Sequence, residues 1–148
     1  MCITLTTNCS QKNAKLGYIA GMSEKIKTTV LIVDENEDAA DTLAMLIRHA
    51  GYEALVAYDT ESGIALANDS LPDFIFHDVA MRHVNGYEAA RRLRQSDKFT
   101  KTVLVAVTPN GATEDRKRAK LAGFDLHMSK PVYFEDLKEV LSRPKFLS

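Results

Sequence analysis

The chain has 148 residues, of which 45% are hydrophobic and 26% charged, the profile of one globular domain large enough to bury a core. Lys and Arg number 19 and Asp and Glu 20, a net charge of −1 that removes the electrostatic basis for a nucleic-acid or membrane-surface binder. No apolar run approaches the roughly 18 residues a membrane helix needs, and Cys2 and Cys9 have no metal-type partners, so a reduced pair in the cytoplasm is expected.

Residues 1–27 are mixed in character, lack a signal-peptide core and read as a flexible extension. A domain over 28–142 follows, with 143–148 as a tail. Val30 to Val33 is continuously apolar and β-branched, as a strand covered on both faces should be. Asn36 to Ala50 carries Leu43, Leu46 and Ile47 at helical spacing and stops at Gly51. Tyr52–Ala57 reads as a strand, Thr60–Asn68 as a helix, Phe74–Phe76 as a strand and Tyr87–Gln95 as a helix. Val103–Val107 then reads as a strand, Thr113–Ala122 as a charged helix ended by Gly123, Phe124–Met128 as a weak strand and Phe134–Leu141 as the last helix. Five strand–helix units in succession predict an α/β fold, a parallel sheet with helices on both faces.

In such sheets the loops at the carboxyl ends of the strands form the ligand crevice. Those positions hold Asp34 and Glu35 after the first strand, Asp78 after the third, Thr108 after the fourth and Lys130-Pro131 after the fifth. Two carboxylates about 5 Å apart repel by roughly 3 kcal/mol at an effective dielectric near 20. Three together call for a divalent cation, a lysine or protonation. Hard oxygens with open positions suit magnesium, and a carboxylate beside a metal can attack a phosphoryl group. Thr108 and Lys130 would then meet the phosphoryl oxygens.

Taken singly, each residue has a plainer reading. An acidic pair after a strand suits a helix N-terminus, a lone Asp or a Lys-Pro suits a turn, and a threonine says almost nothing. Their joint occurrence, in order and each at a strand end, is harder to dismiss.

The segments "VLIVDENED", "LPDFIFHDVAMRHVNGYEAARRLR", "VLVAVT" and "AGFDLHMSKPV" resemble the response-regulator receiver family over about residues 28–142. The resemblance implies a flavodoxin-like, doubly wound sheet of five strands in the order 2-1-3-4-5 with five helices. It implies that Asp78 is the phosphoacceptor, that Asp34, Glu35, Asp78 and the backbone carbonyl of Ala80 hold Mg2+, that Thr108 is the switch hydroxyl and that Lys130 binds phosphate. Lys130-Pro131 would be a cis peptide, and His127 stands where many relatives carry an aromatic switch residue. The implied partners are a histidine kinase or phosphotransfer protein and a downstream protein, with no nucleic acid bound directly and no membrane insertion. The implied role is a two-component signalling switch, autocatalytic at most and not a turnover enzyme. The rival reading is a phosphorylation-independent interaction module on the same fold.

The sequence departs from the family pattern at four places. Glu35 replaces the usual Asp, displacing the metal-facing oxygen by about one bond length. Pro109 offers no N–H where relatives give one to the phosphoryl group, a loss of roughly 1.5–3 kcal/mol. Arg82 stands in place of a proline, and His77 occupies a strand position usually apolar, either as a core histidine or as a proton-sensitive neighbour of the site. These changes predict an active but atypical receiver with weak magnesium binding or a short-lived phosphoryl group.

Look-alikes fail on single residues. A calcium loop starting at Asp34 would have Ala39 for its glycine and Met45 for its last ligand. A flavin-binding first loop would not be acidic. The clusters Arg91-Arg92-Arg94 and Arg116-Lys117-Arg118-Lys120 read as solvated helix faces, because acidic residues intersperse them.

Overall fold

The computed structural model describes residues 27–82, 84–109 and 113–143. The expected N-terminal extension with both cysteines, and the tail beyond Arg143, lie outside them. Strands β1 (Thr29–Val33), β2 (Glu53–Ala57), β3 (Phe74–Asp78), β4 (Val103–Thr108) and β5 (Leu126–Ser129) alternate with helices α1 (Glu37–His49), α2 (Thr60–Ser70), α3 (Gly86–Arg94), α4 (Thr113–Ala122) and α5 (Phe134–Leu141). All strand pairings are parallel, in the order β2-β1-β3-β4-β5. The expected fold and strand order are therefore observed.

The central strands are apolar on both faces because both are covered. Every residue of β1 and β3 is buried. Leu31, Val33, Ile75, Leu104 and Ala106 face a core closed by residues of α2, α3 and α4, while Val30, Ile32, Phe74, Phe76 and Val105 face one closed by α1 and α5. Burying each large side chain contributes about 1.5–3 kcal/mol, which is why β-branched runs outcompete helix here. Helix α1 starts where the Asn36 side chain accepts from the Ala39 N–H, with Glu37 and Asp38 in its first turn and Arg48 and His49 in its last.

Strands β3 and β4 run on to Asp78 and Thr108 themselves, and three further differences from expectation bear on the packing. Strand β5 begins at Leu126, not Phe124: Gly123 leaves α4 with φ +118°, and Phe124 drops into the α3–α4 core, edge-on to Tyr87. Helix α2 runs on to Ser70, closed by Leu71 in a left-handed conformation (φ 47°, ψ 63°) whose N–H bonds to the Ala67 carbonyl. A 3-10 turn over Asp97–Phe99, too short to show a periodicity, seats Phe99 in the core before β4.

Gly86 is required where α3 meets the sheet. A Cβ there would lie 2.8 Å from both the Asp78 carbonyl oxygen and the Val79 Cα. The close approach sets the path of the loop that follows Asp78.

Candidate functional site

Parallel pairing brings the carboxyl ends of β1, β3, β4 and β5 to one rim. Asp34, one residue past β1, accepts the Asn36 N–H at Oδ1 (2.9 Å), so its carboxylate is oriented by the turn that starts α1. Asp78 ends β3 and accepts the Ala80 N–H at Oδ1 (2.9 Å). Both are buried. Lys130, whose backbone N–H bonds to the Thr108 carbonyl (2.8 Å), extends its Nζ between them: 2.9 Å from Asp34 Oδ2 and 3.4 Å from Asp78 Oδ2. The Lys130-Pro131 peptide is cis, as the resemblance implies.

The electrostatics follow from burial. Burial pushes the Asp78 carboxyl above the usual carboxylate range; the Ala80 N–H opposes this, Asp34 reinforces it, and Lys130 opposes it. For Lys130, burial alone would pull the ammonium down, but its bonds and charge pairing with Asp34 and Asp78 outweigh burial and raise it. One ammonium thus holds two carboxylates that would otherwise repel.

Glu35 does not join this group. Its Oε1 faces Arg82 Nε at 3.5 Å; Glu35 is partly buried there and Arg82 is exposed. Among the described residues no three His, Cys, Asp or Glu side chains gather closely enough to hold a metal ion. Asp34 and Asp78 form the close carboxylate pair here, and Glu35, the third carboxylate expected at this rim, faces Arg82 instead. The pair still fits magnesium, which takes one or two carboxylates and completes its shell with waters and phosphate oxygens.

Thr108 is fully buried at the end of β4, and its hydroxyl lies 3.0 Å from His127 Nε2. His77 is a core histidine. Its Nδ1 donates to the Asp78 carbonyl (2.8 Å), and its Nε2 lies 3.5 Å from the Thr60 hydroxyl, which itself donates to the Val84 carbonyl (2.7 Å). Burial pulls the His77 ring down to about 4, so it is neutral at ordinary pH.

A cleft of about 570 Å³ opens beside the carboxylates, between α1 and the loop after β5, with Asp34, Leu43, Asp78, Pro109 and Lys130 on its walls. Of the basic clusters, Arg91 and Arg92 pair with Glu88 and Glu61 on the surface. Arg94 departs from a solvated face: it bonds the Gly123 and Phe99 carbonyls and Asp125, pinning α3 to the turn before β5. Arg82 as the partner of Glu35, and His127 as the partner of Thr108, are contacts the sequence did not indicate; Arg82's charge near an acidic pair was the only available sign.

An open parallel sheet with a lysine-bridged carboxylate pair at its topological switch point defines an α/β domain built for anion or metal chemistry at that rim. The chain belongs to the response regulator receiver domain family, whose model matches residues 30–142. It is 34% identical over 108 residues to the transcriptional regulatory protein YrkP of Bacillus subtilis, covering 73% of this chain but only 45% of that one. The chain thus spans less than half the length of that relative. It superimposes on Vibrio cholerae chemotaxis protein CheY4 with a TM-score of 0.75 at 26% identity, covering 79% of this chain and 98% of that one. The receiver domain of the Pseudomonas aeruginosa sensor histidine kinase PA1611, solved with a magnesium ion in its active-site cleft, shares the fold (TM-score 0.73, 24% identity, covering 79% of this chain and 96% of that one). Residues 30–142 form a receiver domain of two-component signal transduction. No helix among the described residues is long and apolar enough to cross a membrane.

Proposed function

We propose that Asp78 accepts a phosphoryl group from a phosphohistidine on a histidine kinase or phosphotransfer protein, and that the modified domain acts on a downstream protein by conformational switching. The observation that carries this reading is the Lys130 ammonium bridging Asp34 and Asp78 from three separate strand ends. In the transfer an Asp78 oxygen attacks phosphorus as the phosphorus–nitrogen bond breaks, and the departing imidazole keeps the electron pair and takes up a proton. The Ala80 N–H orients one Asp78 oxygen. Lys130, already held by Asp34, neutralises charge that builds on the phosphoryl oxygens. Asp34 and Asp78, with the Ala80 carbonyl and with Glu35 once it leaves Arg82, would hold magnesium, which when bound neutralises phosphoryl charge.

After transfer the phosphoryl group draws Lys130 and the Thr108 hydroxyl toward it, and the loops after β3 and β4 follow. That is a population shift driven by a local change of charge. Incubation with magnesium and a small acyl phosphate should add the mass of one phosphoryl group to a peptide containing Asp78, and Asp78→Asn should abolish the increment. An unmodified Asp78 after such treatment, or an increment that survives the substitution, would refute the assignment.

A further inference from the structure

The peptide between Asp78 and Val79 is held by a buried side chain of β3 itself. Its two polar groups point opposite ways: the Val79 N–H bonds to the Val107 carbonyl of β4 (3.1 Å), so the Asp78 carbonyl turns toward the β1 side. The β1–β3 register ends one residue earlier, at Val33 and His77, which leaves that carbonyl past the end of the ladder. The His77 ring meets it there, Nδ1 to oxygen 2.8 Å. A carbonyl only accepts, so Nδ1 carries a proton whatever the state of Nε2. Room for the contact exists because residue 86 has no side chain: a Cβ would stand 3.1 Å from Nδ1 and 2.8 Å from the carbonyl oxygen. The far end of the same loop is tied by Thr60, the first residue of α2, whose hydroxyl donates to the Val84 carbonyl (2.7 Å) and lies 3.5 Å from His77 Nε2. Both His77 and Thr60 are buried.

We propose, resting on the reading of Asp78 above, that His77 is a positioning residue for that site. By donating Nδ1–H to the Asp78 carbonyl it fixes the peptide from which Ala80 presents its N–H to the reactive carboxylate and its carbonyl to a metal ion. The Ala80 N–H lies 2.9 Å from Asp78 Oδ1, so a turn of the 78–79 peptide moves the carboxylate and the Ala80 carbonyl together. An apolar side chain at position 77 would fill the same space and take this donor from the carbonyl. A buried carbonyl that loses its donor bears the full cost of its desolvation, and the peptide then rotates to find another.

Nitrogen NMR of the His77 ring in the full chain tests the contact without kinetics. At pH 7.5 Nδ1 should carry the proton, and a bare Nδ1 overturns the inference. His77→Leu should weaken magnesium, followed by amide shifts of residues 78–80, and slow phosphorylation by a small acyl phosphate. Each loss should be roughly three- to tenfold, the size of one hydrogen bond. His77→Asn, whose side-chain amide can bring an N–H to the same carbonyl, should recover most of both. Wild-type values in His77→Leu, or a loss in His77→Asn as large as a tenfold one, would reduce the ring to packing and overturn the positioning role. The Nδ1 proton and His77→Asn decide the matter if His77→Leu does not fold. Magnesium affinity that follows the series while Asp78 takes no phosphoryl group sustains the positioning role and refutes the phosphoacceptor assignment. Phosphorylation of Asp78 that ignores both substitutions does the reverse.

Discussion

Lys130 lies closer to Asp34 than to Asp78, 2.9 Å against 3.4 Å, so the resting site keeps its ammonium on the carboxylate expected to stay unmodified. Asp34 thereby acts as a holder from which Lys130 can lean toward a newly charged neighbour. An exposed ion pair would contribute little, but here both carboxylates are buried and the ammonium offsets their repulsion.

The first prediction concerns that dependence. Lys130→Met should raise the Asp78 midpoint further above the carboxylate range, since Lys130 opposes the rise that burial and Asp34 cause. Carboxyl carbon NMR against pH reads this directly. Asp78→Asn should in contrast stabilise the protein at pH 7 by about 0.5–2 kcal/mol, as removal of a buried, repelled site charge commonly does. A carboxyl with a raised folded value contributes stability when protonated and loses it as pH rises through that value. The advantage of Asp78→Asn should therefore fade on acidification below the ordinary carboxylate range, as urea titrations at several pH values would register.

His77 gives a pH dependence of opposite sense. Its folded value, about 4, lies below the ordinary 6.5, so the unfolded chain binds the extra proton between them. Stability should fall as pH drops through that window, by about 3 kcal/mol on reaching pH 4. His77→Leu should flatten this segment of the stability profile. A wild-type profile that is level from pH 6.5 to 4.5 would contradict the buried, neutral assignment.

Gly86→Ala should destabilise by about 1–3 kcal/mol, because the added carbon meets backbone atoms of Asp78 and Val79 that cannot yield. The displaced Asp78 peptide should also slow phosphorylation. Chemical denaturation and the rate of the mass increment measure the two effects separately.

Arg82→Ala should tighten magnesium two- to tenfold, since it removes a cation beside Glu35 and frees that carboxylate, an effect of the size expected for exposed charges. Amide shifts of residues 78–80 during a magnesium titration report the affinity. A weaker or unchanged affinity would mean that Glu35 takes no part in holding the metal.

Much of the fold was legible because the central strands are covered on both faces and therefore read as unbroken apolar runs. Asp34, Asp78 and Lys130 were legible for a related reason: in a parallel sheet every strand's carboxyl end reaches one rim, so position along each strand is enough. What resisted reading depends on side-chain direction. Glu35 follows Asp34 directly yet turns to Arg82, 47 residues on. The Thr108–His127 bond requires the β4–β5 register, which four weakly apolar residues of β5 do not announce. Phe124 was drawn into β5 by its apolar character, although Gly123 had already turned it into the core.

The left-handed backbone at Leu71 separates durability from signalling in this domain. A side chain in that conformation costs roughly 1–2 kcal/mol, and the residue sits where the chain enters β3, at the rim opposite Asp78. Half exposed as it is, Leu71 gives protein engineers a handle for heat tolerance: a residue suited to the left-handed region can be installed there while the reactive rim is left untouched.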